Sequence, residues 1–417
     1  MQWTQRTETA LARLALAAAA MHVVDDAFLQ PEPGTSAVDH LAGGLIPTGL
    51  LLATAWGYPR LRAGFRAALA LVFGFLALLS SSEAIYYAKH VGPSGDDWTG
   101  LLAIPAGLIL IGLGAVTLWR SRRRDRRLWR RYGRRLLVSG MVALAASVVV
   151  LPLVVTYVVT HVSRAEVPPA DLGAPYKNVE FTTSDGLLLK GWYIRSQNGA
   201  AVISFPGRAA SQKRAKMLAR HGYGVLLFDR RGEGESDGDP NLLGWQGERD
   251  IHAAVAFLQR LPDVDSQRIG GIGLSVGGEM MIEAAAESTA LKAIVSEGGS
   301  ARSVRDELAN PGTPWQEVIG TGVATAATAV FTSNLPPASL KSLVPKIAPR
   351  SVFFIYGERG QPAEKPANEA FYAAARGPKA IWKVPDSKHM GGIEARPAEY
   401  ERRVVGFFDQ ALLDQAR

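Results

Sequence analysis

Hydrophobic and polar positions divide the chain near residue 164. Before Arg164 apolar residues form long, seldom interrupted runs; after Ala165 they come in short blocks separated by polar and glycine-rich stretches. Four of the runs, roughly Leu41–Trp56, Phe65–Ala88, Leu101–Trp119 and Leu136–Thr160, are predicted to be membrane-crossing helices, which need about 20 residues each. A fifth, Ala10–Leu29, is weaker because Asp25 and Asp26 interrupt its far end. It lacks a convincing cleavage site and more spans follow, so it reads as part of the bundle, not as a removable signal. Residues 1–163 are thus expected to be a transmembrane helical domain of about five spans. Pro168, Pro169, Gly173 and Pro175 mark a linker over 164–175.

From Tyr176 onward the period changes. Asn178–Thr183 and Leu187–Ile194 read as strands joined by a Ser184-Asp185-Gly186 turn. Short apolar blocks at Ala200–Phe205, Gly224–Phe228, Ile269–Gly273, Ala293–Ser296, Ser351–Tyr356 and Ala380–Val384 read as strands. Helices are expected near Ser211–Arg220, Trp245–Leu261, Ala367–Ala375 and Glu399–Leu413. Strands alternating with helices imply an α/β fold over 176–417, a mostly parallel sheet with helices on both faces. The rhythm lapses between Ser300 and Pro349, where Trp315, Val318, Ile319, Val323, Val330 and Phe331 suggest amphipathic helices forming a small cap over about 300–349. Being apolar with few charges, that cap is expected to select an acyl or otherwise greasy substrate.

Charge orients the apolar half. Arg60, Arg62 and Arg66 follow the second candidate span, and a dense arginine run between Arg120 and Arg135 follows the fourth, while the alternate connections are acidic or mixed. Positive loops stay cytoplasmic, so everything after His161 is expected on the extracytoplasmic side of the membrane. The net charge of +8 is smaller than the arginine content of that one loop. The globular half is therefore not notably basic; a lipid bilayer is the expected partner of the arginines, and nucleic acid is not. The chain has no cysteine, which excludes disulfides and thiolate chemistry. His22, His40, His90 and His161 fall near predicted outer span ends with Asp25, Asp26, Asp39 and Glu83. A metal or relay role for them is weighed against the ease with which helix ends carry polar residues, and no metal is expected.

The chemistry concentrates in Gly273-Leu274-Ser275-Val276-Gly277, set between a predicted strand and a predicted helix. This is the pattern of a nucleophile elbow, in which a sharp bend lifts the serine Oγ above the sheet. Phe205-Pro206-Gly207-Arg208, Asp229-Arg230-Arg231-Gly232-Glu233-Gly234-Glu235-Ser236 and Pro385-Asp386-Ser387-Lys388-His389 accompany it in order along the chain. Together these resemble the α/β-hydrolase family, and the resemblance covers nearly all of Tyr176–Arg417. It implies Ser275 as nucleophile, which requires a base, and His389 as that base. It also implies an oxyanion hole built from the backbone N–H groups of Val276 and Arg208. His221 and His252 sit on predicted helices, away from the strand ends where such folds place ligands.

One position departs from the family. Relatives usually carry an aspartate in a Gly-x-x-Asp turn after the penultimate strand; this chain has Gly357-Glu358-Arg359-Gly360. Glu364, further along the loop, is the preferred replacement acid, with Glu358 the runner-up. The expectation is a membrane-anchored serine hydrolase that cleaves an ester or related acyl bond of a small-molecule, lipid-like substrate without a cofactor. An acyl transferase or peptidase would use the same residues. A catalytically silent binding or sensor protein would follow if no acid replaced the missing one.

Overall fold

The computed structural model describes residues 4–90, 92–121, 128–308 and 314–414. The chain forms two units, Met1–Ser163 with Pro314–Leu335, and Arg164–Thr313 with Pro336–Arg417.

The first unit contains α1 (Gln5–Val24), α2 (Leu41–Gly57), α3 (Ala63–His90), α4 (Asp97–Arg120), α5 (Leu128–Ala145) and α6 (Leu151–Thr160). Two π turns, Asp25–Leu29 and Ala146–Val150, follow α1 and join α5 to α6. Four helical stretches, Leu41–Arg60, Ala63–His90, Asp97–Arg120 and Tyr132–Thr160, are long and apolar enough to cross a membrane. They overlie the four strong runs of the sequence. The α1 helix carries more polar residues, and Glu8 among them has partners within the bundle. Buried Glu8 accepts hydrogen bonds from Tyr58 Oη at 3.4 Å and Thr117 Oγ1 at 3.1 Å, and lies 3.2 Å from Arg66 Nε.

Packing here reverses the pattern of a water-soluble protein. The inward positions of α3 are small (Ala67, Ala70, Gly74, Ala77, Ser81 and Ala84), while Phe65, Phe75, Leu102, Leu108 and Leu151 face outward. Small residues let helix backbones approach closely. Gly74 and Gly107 form such a crossing: a Cβ on Gly107 would stand 2.7 Å from the Gly74 carbonyl oxygen, and one on Gly74 2.9 Å from that of Gly107. Half of the arginine run, Arg122–Arg127, lies outside the described residues.

The second unit is built on one eight-stranded sheet. Its strands are β1 (Tyr176–Thr182), β2 (Leu188–Ile194), β3 (Ala201–Phe205), β4 (Gly224–Phe228), β5 (Ile269–Leu274), β6 (Ala293–Glu297), β7 (Ser351–Arg359) and β8 (Lys379–Lys388). They lie in the order β1-β2-β4-β3-β5-β6-β7-β8. The β1 and β2 strands form an antiparallel hairpin, β2 runs antiparallel to β4, and the remaining pairs are parallel. Between them run α7 (Gln212–Arg220), α8 (Gly247–Leu258), α9 (Val276–Glu287), α10 (Val304–Leu308), α11 (Trp315–Phe331), α12 (Leu340–Leu343) and α13 (Glu364–Ala374); α14 (Gly392–Ala395) and α15 (Pro397–Phe408) follow β8.

Alternation along each strand separates two cores. Ala201, Ile203 and Phe205 of β3 join Leu226 and Phe228 of β4 beneath α8, α9 and α13. Val202, Val225 and Leu227 point to the other face, against α7 and α15. Burial on both faces explains why the sequence shows unbroken apolar blocks in these strands and not an apolar–polar alternation.

Two expectations need correction. The stretch expected as a cap divides: Pro314–Leu335, containing α11, groups with the first unit, while α10 and α12 remain with the second. Apolar helical spacing looks alike in a cap and in a bundle, so the sequence alone did not separate them. The segment Pro385–Lys388, read as a loop, extends β8 through an irregularity in its pairing with β7. Pro385 is tolerated because β8 is an edge strand, where a missing N–H breaks no ladder.

Candidate active site

The bend at Ser275 is enforced by its neighbours. Ser275 has φ 51° and ψ −124°, a left-handed conformation that costs energy for a residue with a side chain. Its N–H donates to the carbonyl oxygen of Glu297 at 2.7 Å, and its own carbonyl accepts from the Gly278 N–H at 2.8 Å. Gly273 must be glycine, because a Cβ there would stand 2.2 Å from the Gly277 carbonyl oxygen. The strained turn thus tips a half-buried Oγ off the end of β5 at the start of α9.

His389 follows β8, with Asp386 (φ 58°) and Met390 (φ 55°) in left-handed conformations on either side. Its Nε2 lies 2.9 Å from Ser275 Oγ and its Nδ1 2.6 Å from Glu364 Oε1. A carboxylate can only accept, so Nδ1 carries the ring proton, and Nε2 is left to accept from the serine hydroxyl. A hydroxyl, an imidazole and a carboxylate therefore stand in one hydrogen-bonded line, able to pass a proton off Oγ during attack on a carbonyl.

The glycine in place of the usual acid now has a structural reason. A Cβ on Gly360 would lie 2.5 to 2.6 Å from the carboxylate atoms of Glu364. The Glu364 carboxylate occupies the space that a side chain at 360 would fill, reaching it from the first residue of α13. The N–H of Gln361 donates to Oε1 at 2.6 Å, and the N–H of Gly357 approaches Oε2 at 3.5 Å. Burial would raise the Glu364 pKa, but the bonds from His389, Gln361 and Gly357 outweigh burial and hold the carboxyl below its ordinary range. The runner-up acid, Glu358, is elsewhere: it pairs with Lys383 at 2.6 Å and accepts from the Asp386 N–H at 3.2 Å.

The expected oxyanion donors fare differently. Val276, the first residue of α9, has no protein partner for its N–H among the described residues. The N–H of Arg208 is engaged, donating to Asp229 Oδ1 at 2.9 Å. Its guanidinium is buried and donates to Asp229 Oδ2 and Glu235 Oε2. Asp229, drawn in by the guanidinium, takes the backbone donor of the same residue. The expectation for Arg208 therefore fails. The neighbouring Gly207 N–H has no protein partner among the described residues, and Pro206 of this loop abuts Gly277 of the elbow. His221 binds Glu401 at 2.8 Å, and His252 lies 3.2 Å from the Ala284 carbonyl oxygen, both outside the line. No group of three or more His, Asp or Glu residues suited to a metal occurs among the described residues.

Sequence reasoning missed the buried cluster behind the histidine loop. Glu297, at the end of β6, accepts from Arg214 Nη2 at 2.8 Å, Tyr400 Oη at 2.6 Å and the Gly392 N–H at 3.1 Å. Arg214 also donates to the Met390 carbonyl oxygen at 2.8 Å. One residue thereby fixes both partners, with its backbone carbonyl on Ser275 and its side chain on the turn after His389. The available signal was an acid at the carboxyl end of a central strand, where such folds place ligands. Removing Arg214 would strand the Glu297 charge in the core. Arg214→Met is expected to destabilise the unit by about 3–5 kcal/mol, read as a lower denaturant midpoint, with the double variant Arg214→Met/Glu297→Gln recovering much of the loss.

With this geometry in place, comparison with known proteins is direct. Residues 173–376 match the model of the X-Pro dipeptidyl-peptidase (S15) family. A polyketide transferase of Penicillium is 40% identical over 120 residues, covering 27% of this chain and 41% of that protein. A thiohydrolase of Aspergillus aculeatus is 36% identical over 129 residues, 29% of this chain and 41% of its own. For both, the match spans well under half of the relative's length. An uncharacterised Escherichia coli protein is 25% identical over 252 residues, covering 57% of this chain and 82% of that one. Among solved structures, an esterase of Pyrococcus furiosus aligns with a TM-score of 0.49 at 24% identity, covering 60% of this chain and 98% of the esterase. The match over residues 173–376 and the mostly parallel sheet give the second unit the α/β-hydrolase fold and support the hydrolase family. Its N-terminal helical part, with four helices long enough to span, is consistent with a membrane domain.

Proposed function

We propose that the protein is a membrane-anchored serine hydrolase acting on an ester or related acyl bond. The observation that carries the reading is the line from Ser275 Oγ through His389 to Glu364, with spacings of 2.9 and 2.6 Å. Ser275 Oγ attacks the acyl carbon while His389 Nε2 takes its proton. The oxyanion meets the N–H groups of Val276 and Gly207; loss of one such donor costs about 3–4 kcal/mol of transition-state stabilisation. Collapse expels the alcohol or thiol, which receives the proton from His389 and leaves an acyl-serine. Water, deprotonated by His389, then releases the acid. Glu364 holds the imidazole in the required tautomer and stabilises its charge.

A second reading keeps the first half of this sequence and replaces water with an acceptor alcohol or amine. It is favoured by the similarity to a segment of a protein named as a polyketide transferase. Purified full-length protein incubated with a nitrophenyl ester, an acyl thioester and a proline-containing dipeptidyl anilide is expected to release acid from the first two. Release of dipeptide alone would overturn the acyl-ester assignment, and a new ester formed with added alcohol would select the transfer reading.

Anchoring is supported by the outward-facing apolar side chains of the helical unit, and the arginine distribution favours a hydrolase unit outside the cytoplasm. The absence of cysteine makes this simple to test. Gln197→Cys, at an exposed position of the second unit, is expected to react with a membrane-impermeant maleimide in intact cells. Reaction only after lysis would reverse the orientation.

A further inference from the structure

We propose that the helical unit holds a second, non-catalytic binding site, for a single-chain amphiphile with an uncharged head that both donates and accepts hydrogen bonds. Two adjoining hollows carry the inference. The first is a cavity of about 110 Å³ onto which His22, Asp26, Ser80, Tyr157 and His161 converge. The second is a groove of about 520 Å³ lined only by apolar residues, among them Leu71, Phe75, Ile111, Val150 and Leu153. Leu76 borders both.

The hollows are consecutive along the same two helices. On α3 the groove is lined over residues 71–76, and the cavity, whose lining mixes apolar residues with the five polar ones, reaches Ser80. On the rod formed by α5 and α6 the groove is lined over 149–154, and the cavity reaches Tyr157 and His161. Both helices thus advance from apolar to polar in the same direction. From Leu71 to Ser80 the rise along α3 is about 14 Å, room for a good part of an acyl chain beneath a small head. Five polar side chains share this one cavity, held in place by bonds within the unit: His22 Nδ1 lies 3.3 Å from Thr99 Oγ1, Ser80 Oγ donates to the Ala77 carbonyl oxygen at 3.0 Å, and His161 Nδ1 lies 3.0 Å from the Tyr157 carbonyl oxygen.

Backbone irregularity falls at the same places. Asp26 lies in the π turn after α1, and Val149 and Val150 in the π turn before α6. Such turns are rare and often mark functional sites. The cavity is closed by α11, which the chain contributes from between β6 and β7. Phe331 lines it and packs edge-on against Tyr157 and His161, at 5.5 and 5.7 Å between ring centroids. The Gly43 N–H donates to Ser333 Oγ at 3.0 Å, and a Cβ on Gly43 would stand 2.9 Å from the Phe331 carbonyl oxygen, so α11 is seated closely on α2.

The polar lining selects the head. An anionic head would face the carboxylate of Asp26. A neutral head with hydroxyl or amide groups can pair with the carboxylate and the imidazoles alike, and glycerol on one acyl chain is the simplest such case.

The test uses full-length protein in phosphatidylcholine nanodiscs and a monoacylglycerol carrying a diazirine in its acyl chain. Adducts are expected to concentrate on α3 and α6 around Leu76 and Leu153 and to be displaced by unlabelled monoacylglycerol but not by the matching fatty acid. Leu76→Trp, which plugs the junction, is expected to cut the adducts at least tenfold while leaving fluorophosphonate labelling of Ser275 unchanged. Val150→Trp gives the same readout from the groove should Leu76→Trp fail to assemble. Adducts spread over all outward-facing helices in proportion to exposure, or undiminished in both variants, would mean ordinary boundary lipid and overturn the site. Because Ser275 labelling is read separately, failure here leaves the hydrolase reading standing, and loss of labelling in the parent protein would leave this one standing.

Discussion

Ser275→Ala is expected to lower kcat for ester hydrolysis by about a million-fold, the scale reached when the nucleophile of a serine protease is removed. That corresponds to roughly 8 kcal/mol of transition-state stabilisation. The size follows from the chemistry. Without Oγ no acyl-serine forms, His389 has no proton to accept, and only the N–H groups of the elbow and the binding surface remain. The fold should persist, because the backbone bonds that hold the turn, Ser275 N–H to Glu297 and Gly278 N–H to Ser275, do not involve the lost oxygen. Two measurements on the same preparation check this: turnover of a nitrophenyl ester, and covalent labelling by a fluorophosphonate. Labelling that survives the substitution, or turnover within tenfold of the parent, would remove Ser275 from the reaction.

The acid position supports a sharper experiment. Glu364→Gln is expected to cost about ten-thousand-fold in kcat, as loss of the orienting charge does in a serine protease, because the amide no longer enforces the tautomer. Gly360→Asp alone is expected to be harmful as well, since its side chain would enter space held by the Glu364 carboxylate, whose atoms lie 2.5 to 2.6 Å from a Cβ at 360. Combining Gly360→Asp with Glu364→Ala should restore at least a hundredfold of the activity that Glu364→Ala removes. The backbone at 360 lies outside the left-handed region, so an aspartate fits there without strain. A double variant no better than the single would show that the vacated space is not equivalent to the usual acid position.

The same carboxyl carries a pH expectation. Its pKa in the folded protein is held below the ordinary value. Its bond to His389 therefore contributes stability in full above the unfolded carboxyl pKa of about 4.3, and loses it as pH falls through the lower, folded value. The difference in unfolding free energy between parent and Glu364→Gln should accordingly shrink as pH falls below about 4.3. A difference that stays constant through the acid range would assign the stabilisation to another group.

The strand–helix order of residues 176–417 was legible because it is written in local periods. Unbroken apolar blocks such as Ala201–Phe205 are all buried in β3, and the glycines around Ser275 announce a turn that no larger residue could make. The four helices long and apolar enough to span were equally plain, since crossing a bilayer demands length and apolarity residue by residue. The preference for Glu364 over Glu358 came from reach along a loop, and the structure brings Glu364 alone of the two to His389.

What the sequence could not decide was set by contacts between distant segments. Gly360 looked like a missing acid, yet its bare Cα makes room for a carboxylate delivered four residues later. Arg208 looked like a donor, yet Asp229, 21 positions away, takes its N–H. Glu297 carried no motif, yet it ties the serine to the histidine turn through atoms from β6, α7 and α15. The apolar run Trp315–Phe331 fixed a helix but not its neighbours, and only tertiary packing gave it to the bundle. Periodicity reports which face of an element avoids water; which partner covers that face, and which carboxylate reaches an imidazole, depends on distances that exist only after the chain has folded.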